Sequence, residues 1–278
     1  MDVAAMEIGV LTSLGEDNDP FAHVAEFGLK TCQLCNWNPA IWSPARARAI
    51  KAMAKKAGVG IAAVWAGYSG PAVWNFLQGP STLGLVPARY RKKRVAELKK
   101  AADFAAEAGA PAIITHVGFI PENPDDRQYA PTVTALRGVA SHCKRQGVGF
   151  WFETGQETPV TLLRVIEDMG LPNLGINLDT ANCILYGKAN PVDSLDVFGK
   201  YVKNLHAKDG FYPTNGRELG KEVAIGKGKV EWPKLFRRLA ELKFKGQVII
   251  EREISGPQQA KDIRKAVTYL RRVRARTV

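Results

Sequence analysis

Cysteine and histidine are both scarce, with four of each in 278 residues. Cys32, Cys35, Cys143 and Cys183 are scattered along the chain. Cys32 and Cys35 form a C-x-x-C, but inside GLKTCQLC, which reads as a strand. An extended chain holds residues i and i+3 roughly 10 Å apart, beyond disulfide reach. Reduced thiols are expected, and the spacing does not suit a zinc ribbon. Long apolar runs are also missing: none approaches the ~20 residues of a membrane span. The N-terminal MDVAAMEIGV has no basic segment followed by an apolar core and a cleavage site. The expectation is a cytoplasmic protein with no membrane partner.

Acidic charge is in deficit: 39 Lys and Arg against 27 Asp and Glu leave a net +12. The excess lies in helical segments such as RYRKKRVAELKK (89–100), RRLAELKFK (237–245) and IRKAVTYLRRVRAR (263–276). A wet outer helix face explains it without a nucleic-acid partner, and attraction of anionic substrates is a lesser by-product.

Strand and helix signals alternate eight times. Strands are predicted near 6–13, 29–35, 59–66, 110–117, 147–154, 174–180, 202–208 and 247–253. Helices are predicted near 20–27, 43–57, 87–108, 130–146, 158–169, 191–199, 232–244 and 257–275. Ser43-Pro44, Thr158-Pro159 and Asn190-Pro191 each place a capping side chain before a first-turn proline. Gly58, Gly109, Gly147 and Gly170 close helices. Eight βα units without a low-complexity linker predict an α/β fold, a single (β/α)8 TIM barrel domain over 1–278. An open doubly wound sheet is the alternative, but it would scatter residues that here fall on consecutive strands.

In such a barrel the chemistry sits at the C-terminal ends of the strands. Glu153, Asp179, His206 and Glu251 end the last four predicted strands. Strand alternation puts Trp151 with Glu153, Asn177 with Asp179, Asn204 with His206 and Lys208, and Glu251 with Glu253. Three buried acids repel one another unless one is protonated or a cation lies between them. Three carboxylates and one imidazole form a mostly oxygen donor set. It suits a divalent metal ion, Mn²⁺ favoured and Mg²⁺, Co²⁺ or Zn²⁺ compatible. An interior salt-bridge network is the alternative without a metal.

Two long loops, 67–86 and 209–231, share that end of the barrel, and Trp74 and Phe76 are placed to cover a substrate. Gly226-Lys227-Gly228 lacks P-loop spacing. His23 and His142 fall in helices and read as structural.

The motifs FETG, NLDTAN, NLHAKDG, IGKGKVEW and IIERE together resemble the xylose isomerase-like TIM-barrel superfamily, the sugar phosphate isomerase/epimerase group. Its members include ketose 3-epimerases, hydroxypyruvate isomerases, inosose dehydratases and endonuclease IV-type repair enzymes. The resemblance implies that Glu153, Asp179, His206 and Glu251 are metal ligands and that Glu153 and Glu251 are catalytic, moving protons. A small-molecule sugar is the implied partner, and many relatives are homo-oligomers. His116, Asn182, Lys208 and Arg217 are the candidate substrate-binding residues, His116 being equally readable as a core histidine. Asn182 stands where many members have histidine, and Gln33 where several have glutamate. The repair enzymes need many histidines, so four argue against that branch. The expected activity is isomerisation or epimerisation of a keto-sugar through an enediolate. A lyase or dehydratase on a 3-keto-sugar or keto-inositol is the alternative, and a non-catalytic sugar-binding barrel is a further one.

Overall fold

The computed structural model describes residues 6–277, so residues 1–5 of the N-terminal stretch and Val278 lie outside it. In chain order the strands are β1 (Ile8–Ser13), β2 (Thr31–Asn36), β3 (Gly60–Ala66), β4 (Ala112–Thr115), β5 (Gly149–Glu153), β6 (Leu174–Asp179), β7 (Val202–Ala207), β8 (Asp209–Phe211), β9 (Lys221–Val223) and β10 (Val248–Ile250). The helices are α1 (Pro20–Glu26), α2 (Pro44–Ala57), α3 (Gly79–Thr82), α4 (Ala88–Ala108), α5 (Tyr129–Arg145), α6 (Pro159–Met169), α7 (Thr180–Leu185), α8 (Ser194–Phe198), α9 (Trp232–Glu241) and α10 (Pro257–Thr277). β1 to β7 and β10 form a closed parallel barrel, because β1 pairs with both β2 and β10. Closure excludes the open doubly wound sheet. Among the described residues, no helix is long and apolar enough to cross a membrane.

The predicted punctuation works as expected. Ser43 and Thr158 accept hydrogen bonds from the backbone N–H of Arg46 and Thr161, contacts that stabilise a helix start by roughly 1 kcal/mol. Gly58, Gly109 and Gly170 end their helices in the left-handed region. The helix expected over 191–199 is shorter: α8 begins only at Ser194, after a turn capped by Asn190.

Side chains on the outward faces of the barrel strands, such as Leu34, Phe150, Phe152 and Leu178, pack against the helices in the main core. The lumen is layered differently. One part of it is apolar: Ala63, Trp65 and Ile114 with Leu11, Cys35 and Trp151 against them. Gly149 and Gly175 make room for the Trp151 indole, since a Cβ at either position would overlap it. The other part is polar and holds Gln33, Glu153, Asn177 and His206, all buried. The four cysteines are free, and burial pushes the Cys32 thiol up to about 12.

Candidate metal centre and active site

Parallel registry brings the four acid-end residues together. Glu153 pairs in register with Asn177, and Asp179 with His206, so neighbouring strand ends lie level. Glu251 lies one residue past β10, and its backbone N–H still donates to the Ala207 carbonyl. One donor atom from each of Glu153, Asp179, His206 and Glu251 falls within 4.8 Å of all the others.

His206 is the centre of the cluster. Its Nδ1 lies 2.8 Å from Glu153 Oε1, 3.2 Å from Glu251 Oε2 and 3.9 Å from Asp179 Oδ2. Its Nε2 lies 2.6 Å from Gln33 Oε1. An amide oxygen only accepts, so Nε2 carries a proton. The contacts at Nδ1 are close but misaligned for hydrogen bonding. Nδ1 and Asp179 Oδ2 are both buried without a hydrogen-bond partner. With its Nδ1 proton displaced, the ring would turn a lone pair toward three carboxyl groups, which together form a ligand set for a divalent cation. The residues present fit such an ion.

Charge in the cluster is finely set. Burial, reinforced by Glu251 and Glu153 and opposed by Lys208, holds the Asp179 carboxyl well above its usual range. Burial opposes protonation of His206, but Glu153 and Glu251 outweigh it and raise the imidazole well above its ordinary value. Burial would raise Glu251, yet Lys208 and His206 together pull it below the carboxylate range. Lys208 Nζ lies 3.5 Å from Asp179 Oδ2, 3.4 Å from Glu251 Oε2 and 2.8 Å from Glu253 Oε2.

A model of the xylose isomerase-like TIM barrel family matches residues 21–273. The chain belongs to that family. A xylose isomerase domain protein from Planctomyces limnophilus is 35% identical, with a TM-score of 0.92 over 98% of this chain and 99% of that one. The apo 3-keto-D-glucoside 4-epimerase YcjR from E. coli shares the fold at 18% identity, with a TM-score of 0.71 over 96% of this chain and 99% of its own. The uncharacterized protein MJ1311 of Methanocaldococcus jannaschii is 25% identical over 189 residues, spanning 64% of this chain and 63% of that protein's length.

The remaining predicted residues separate into an inner and an outer group. His116 follows β4 and is buried, with its ring 5.0 Å from Trp74 and 5.7 Å from Trp65. Its Nδ1 lies 3.2 Å from Gln156 Oε1, while Gln156 Nε2 donates to the Tyr186 hydroxyl. Gln156 therefore accepts from His116 Nδ1–H, leaving Nε2 as an acceptor. Burial, aided by Lys208, pushes the imidazole down to about 3. Asn182 is buried in α7, and its Oδ1 accepts from Lys208 Nζ at 3.3 Å. It thus serves Lys208, and its backbone N–H donates to Asp179 Oδ1. Arg217 is different: its side chain is exposed, and its backbone carbonyl accepts from Phe76 N–H, joining the two long loops.

Several supporting residues carry no signal in the sequence. The loop over 67–86 is pinned by Arg94 on α4, which is fully buried and donates to the carbonyls of Ser69, Pro71, Thr82 and Gly84. Glu97 holds Ser69 through both its N–H and its hydroxyl. The 209–231 loop carries the β8–β9 ribbon and winds around buried Asp209, which accepts from Gly226, Val230 and the Trp232 indole. A Cβ at Gly228 would collide with the Asp209 carboxylate, which accounts for the Gly-Lys-Gly turn. An amphipathic period does not reveal Arg94 because its neighbours on α4 are also charged; its four carbonyl partners come from a loop.

Proposed function

We propose that the chain is a divalent-metal-dependent sugar isomerase or epimerase acting on a keto-sugar or related polyol. The convergence of Glu153, Asp179, His206 and Glu251, with His206 Nδ1 and Asp179 Oδ2 buried and making no hydrogen bond, carries this reading. The family, and the epimerase activity of the similarly folded YcjR, support it. A divalent cation held by these four residues, Mn²⁺ or Mg²⁺ by donor type, supplies Lewis-acid polarisation of a substrate carbonyl.

The chain's own groups do the rest. Glu153 or Glu251 takes the proton from the carbon beside the carbonyl, and the substrate becomes an enediolate. Lys208, held as an ammonium by Asp179, Glu251 and Glu253, lowers the cost of the negative charge that develops. His116, neutral and with Nε2 free to accept, orients a substrate hydroxyl. Delivery of the proton to the opposite face gives epimerisation, and delivery to the adjacent carbon gives isomerisation.

The test is incubation of the Mn²⁺-loaded protein with a panel of keto-sugars in deuterated water. Deuterium beside the carbonyl of recovered sugar is the expected result, lost in Glu153→Gln and Glu251→Gln. An unsaturated product without exchange would assign the lyase chemistry instead. Absence of both, with no metal retained on dialysis, would overturn the proposal.

A further inference from the structure

The barrel mouth has one aromatic wall and one polar wall. We propose that it takes a two-ring sugar, with the ketone-bearing ring at the acidic cluster and a second, glycosidically linked ring on the Trp37–Trp74 corner. This rests on the keto-sugar reading of the cluster and adds the substrate's shape.

The aromatic wall is continuous with the site. Trp65 is the next-to-last residue of β3, Trp37 follows β2, Tyr68 and Trp74 lie in the 67–86 loop, and His116 follows β4. Trp37 packs 4.8 Å from Trp65, 5.5 Å from Tyr68 and 5.8 Å from Trp74. Trp74 closes the set against His116. Exposure rises outward, from 6% at His116 to 40% at both Trp37 and Trp74. Trp65 and Tyr68 are buried and form the backing. The polar wall opposite is Lys208 with Glu253, joined by an ion pair.

Two features separate this from an incidental apolar patch. The first is rigidity. Gly67 abuts Trp37 so closely that a Cβ there would lie 2.7 Å from the Trp37 Cα. Arg94 clamps four carbonyls of the loop that carries Trp74, so the indole is presented rather than left to collapse inward. The second is shape. Trp37 and Trp74 meet at 81°, which makes a corner of two aromatic faces outward of His116. A sugar ring has an apolar C–H face and a hydroxyl edge, and an aromatic wall facing a polar one matches both. A ring whose carbonyl lies at the cluster occupies the inner level with His116. The corner beyond it accommodates a second ring on the same molecule.

The experiment compares two substrates with an identical reacting ring: a keto-hexose methyl glycoside and the same keto-hexose linked to a second glucose. Deuterium exchange by the Mn²⁺-loaded protein gives kcat/KM for each. The two-ring substrate is expected to be favoured at least tenfold, chiefly in KM, with the ratio falling toward one in Trp74→Ala and Trp37→Ala. Quenching of tryptophan fluorescence by unoxidised cellobiose, weakened in Trp74→Ala, is expected independently of catalysis. Equal kcat/KM for the two substrates, together with no quenching, would overturn the proposal. Loss of a dimer in the tryptophan variants with an unchanged substrate ratio would assign the corner to a second copy of the chain and overturn it as well. Quenching without any exchange would retain the two-ring platform while removing the keto-sugar chemistry.

Discussion

Gln33 Oε1 sits 2.6 Å from His206 Nε2, and this contact begins a one-way chain of donors across the lumen. Gln33 Nε2 donates to Asn177 Oδ1 at 3.1 Å, and Asn177 Nδ2 donates to Glu153 Oε2. The chain fixes the imidazole proton on the side away from the cluster and turns Glu153 Oε1 toward it. Outer partners of this kind typically contribute 10–100-fold to metal affinity. Gln33→Met keeps the volume and removes the acceptor, so Mn²⁺ affinity by calorimetry should fall by roughly that factor. Gln33→Glu restores the acceptor for His206 and should recover part of the loss. A Met variant that binds Mn²⁺ as tightly as the parent would show that Gln33 only fills space.

The same crowding predicts how removing the metal affects stability. Three acids around one imidazole repel one another, and a bound dication relieves that. A ligand at 100 times its Kd stabilises the native state by about 2.7 kcal/mol. Melting after exhaustive chelation should therefore occur several degrees below melting in saturating Mn²⁺. Asp179→Asn should narrow that gap, because it weakens the site and lessens repulsion in the metal-free form. A melting temperature indifferent to chelation would contradict the donor-set argument.

Much of this was legible from residue order. The acid-bearing ends of β5 and β6, His206 on β7 and Glu251 after β10 follow from apolar runs that each close on one polar residue. Inward alternation of Glu251 and Glu253 held beyond the last paired residue, since both reach Lys208 while Arg252 turns to Glu222 and Asp262. The short helix α7 was not legible. All six of its residues are buried, so no apolar stripe shows, and Asp179 serves as both strand end and helix cap. Gln33 stood out only as a substitution relative to the family; its partners are 144 and 173 residues away along the chain. The clamp on the 67–86 loop was hidden for a similar reason. A solvated run and a buried arginine read alike in RYRKKR until the loop's carbonyls are placed around Arg94.

That clamp gives a prediction about the loop. Arg94→Met strands four carbonyls, and each unsatisfied buried polar group costs roughly 1–3 kcal/mol. The melting temperature should drop sharply, and limited proteolysis should cut first within 67–86. Arg94→Lys, which replaces the guanidinium fork with one ammonium, should show the same cleavage with a smaller loss of stability. Cleavage elsewhere, or none, would mean the loop is held by its aromatic contacts instead.

Glu157 offers a stability experiment separate from the metal. It follows β5 and is buried, with neither carboxylate oxygen partnered, and burial pushes its pKa up to about 8. In the unfolded chain the group ionises near the ordinary glutamate value of 4.5. Below that pH both states are protonated, and Glu157 adds no pH dependence. Between about 4.5 and 8 the unfolded chain loses the proton and the folded one keeps it, so stability falls as pH rises. Each pH unit costs about 1.4 kcal/mol at most. Glu157→Gln should match the parent near pH 4 and be progressively more stable toward pH 8. Parallel melting curves across that range would refute the buried, proton-holding state.

His116 provides the sharpest test of the substrate side of the mouth. An ordinary histidine titrates near pH 6.5, whereas burial pushes this one down to about 3. It should therefore stay neutral from pH 5 to 8, and ¹⁵N-histidine spectra should show the proton on Nδ1, where Gln156 Oε1 accepts it. Gln156→Glu would hold that proton more strongly, whereas Gln156→Leu should release the tautomer preference. If Nε2 is the acceptor for a substrate hydroxyl, Gln156→Leu raises KM for keto-sugar exchange by more than it lowers kcat. His116→Gln preserves an acceptor at nearly the same reach and should retain more activity than His116→Phe, which keeps the stacking on Trp74 but loses the lone pair. A Phe variant as active as the parent would reduce His116 to a packing residue between Trp65 and Trp74.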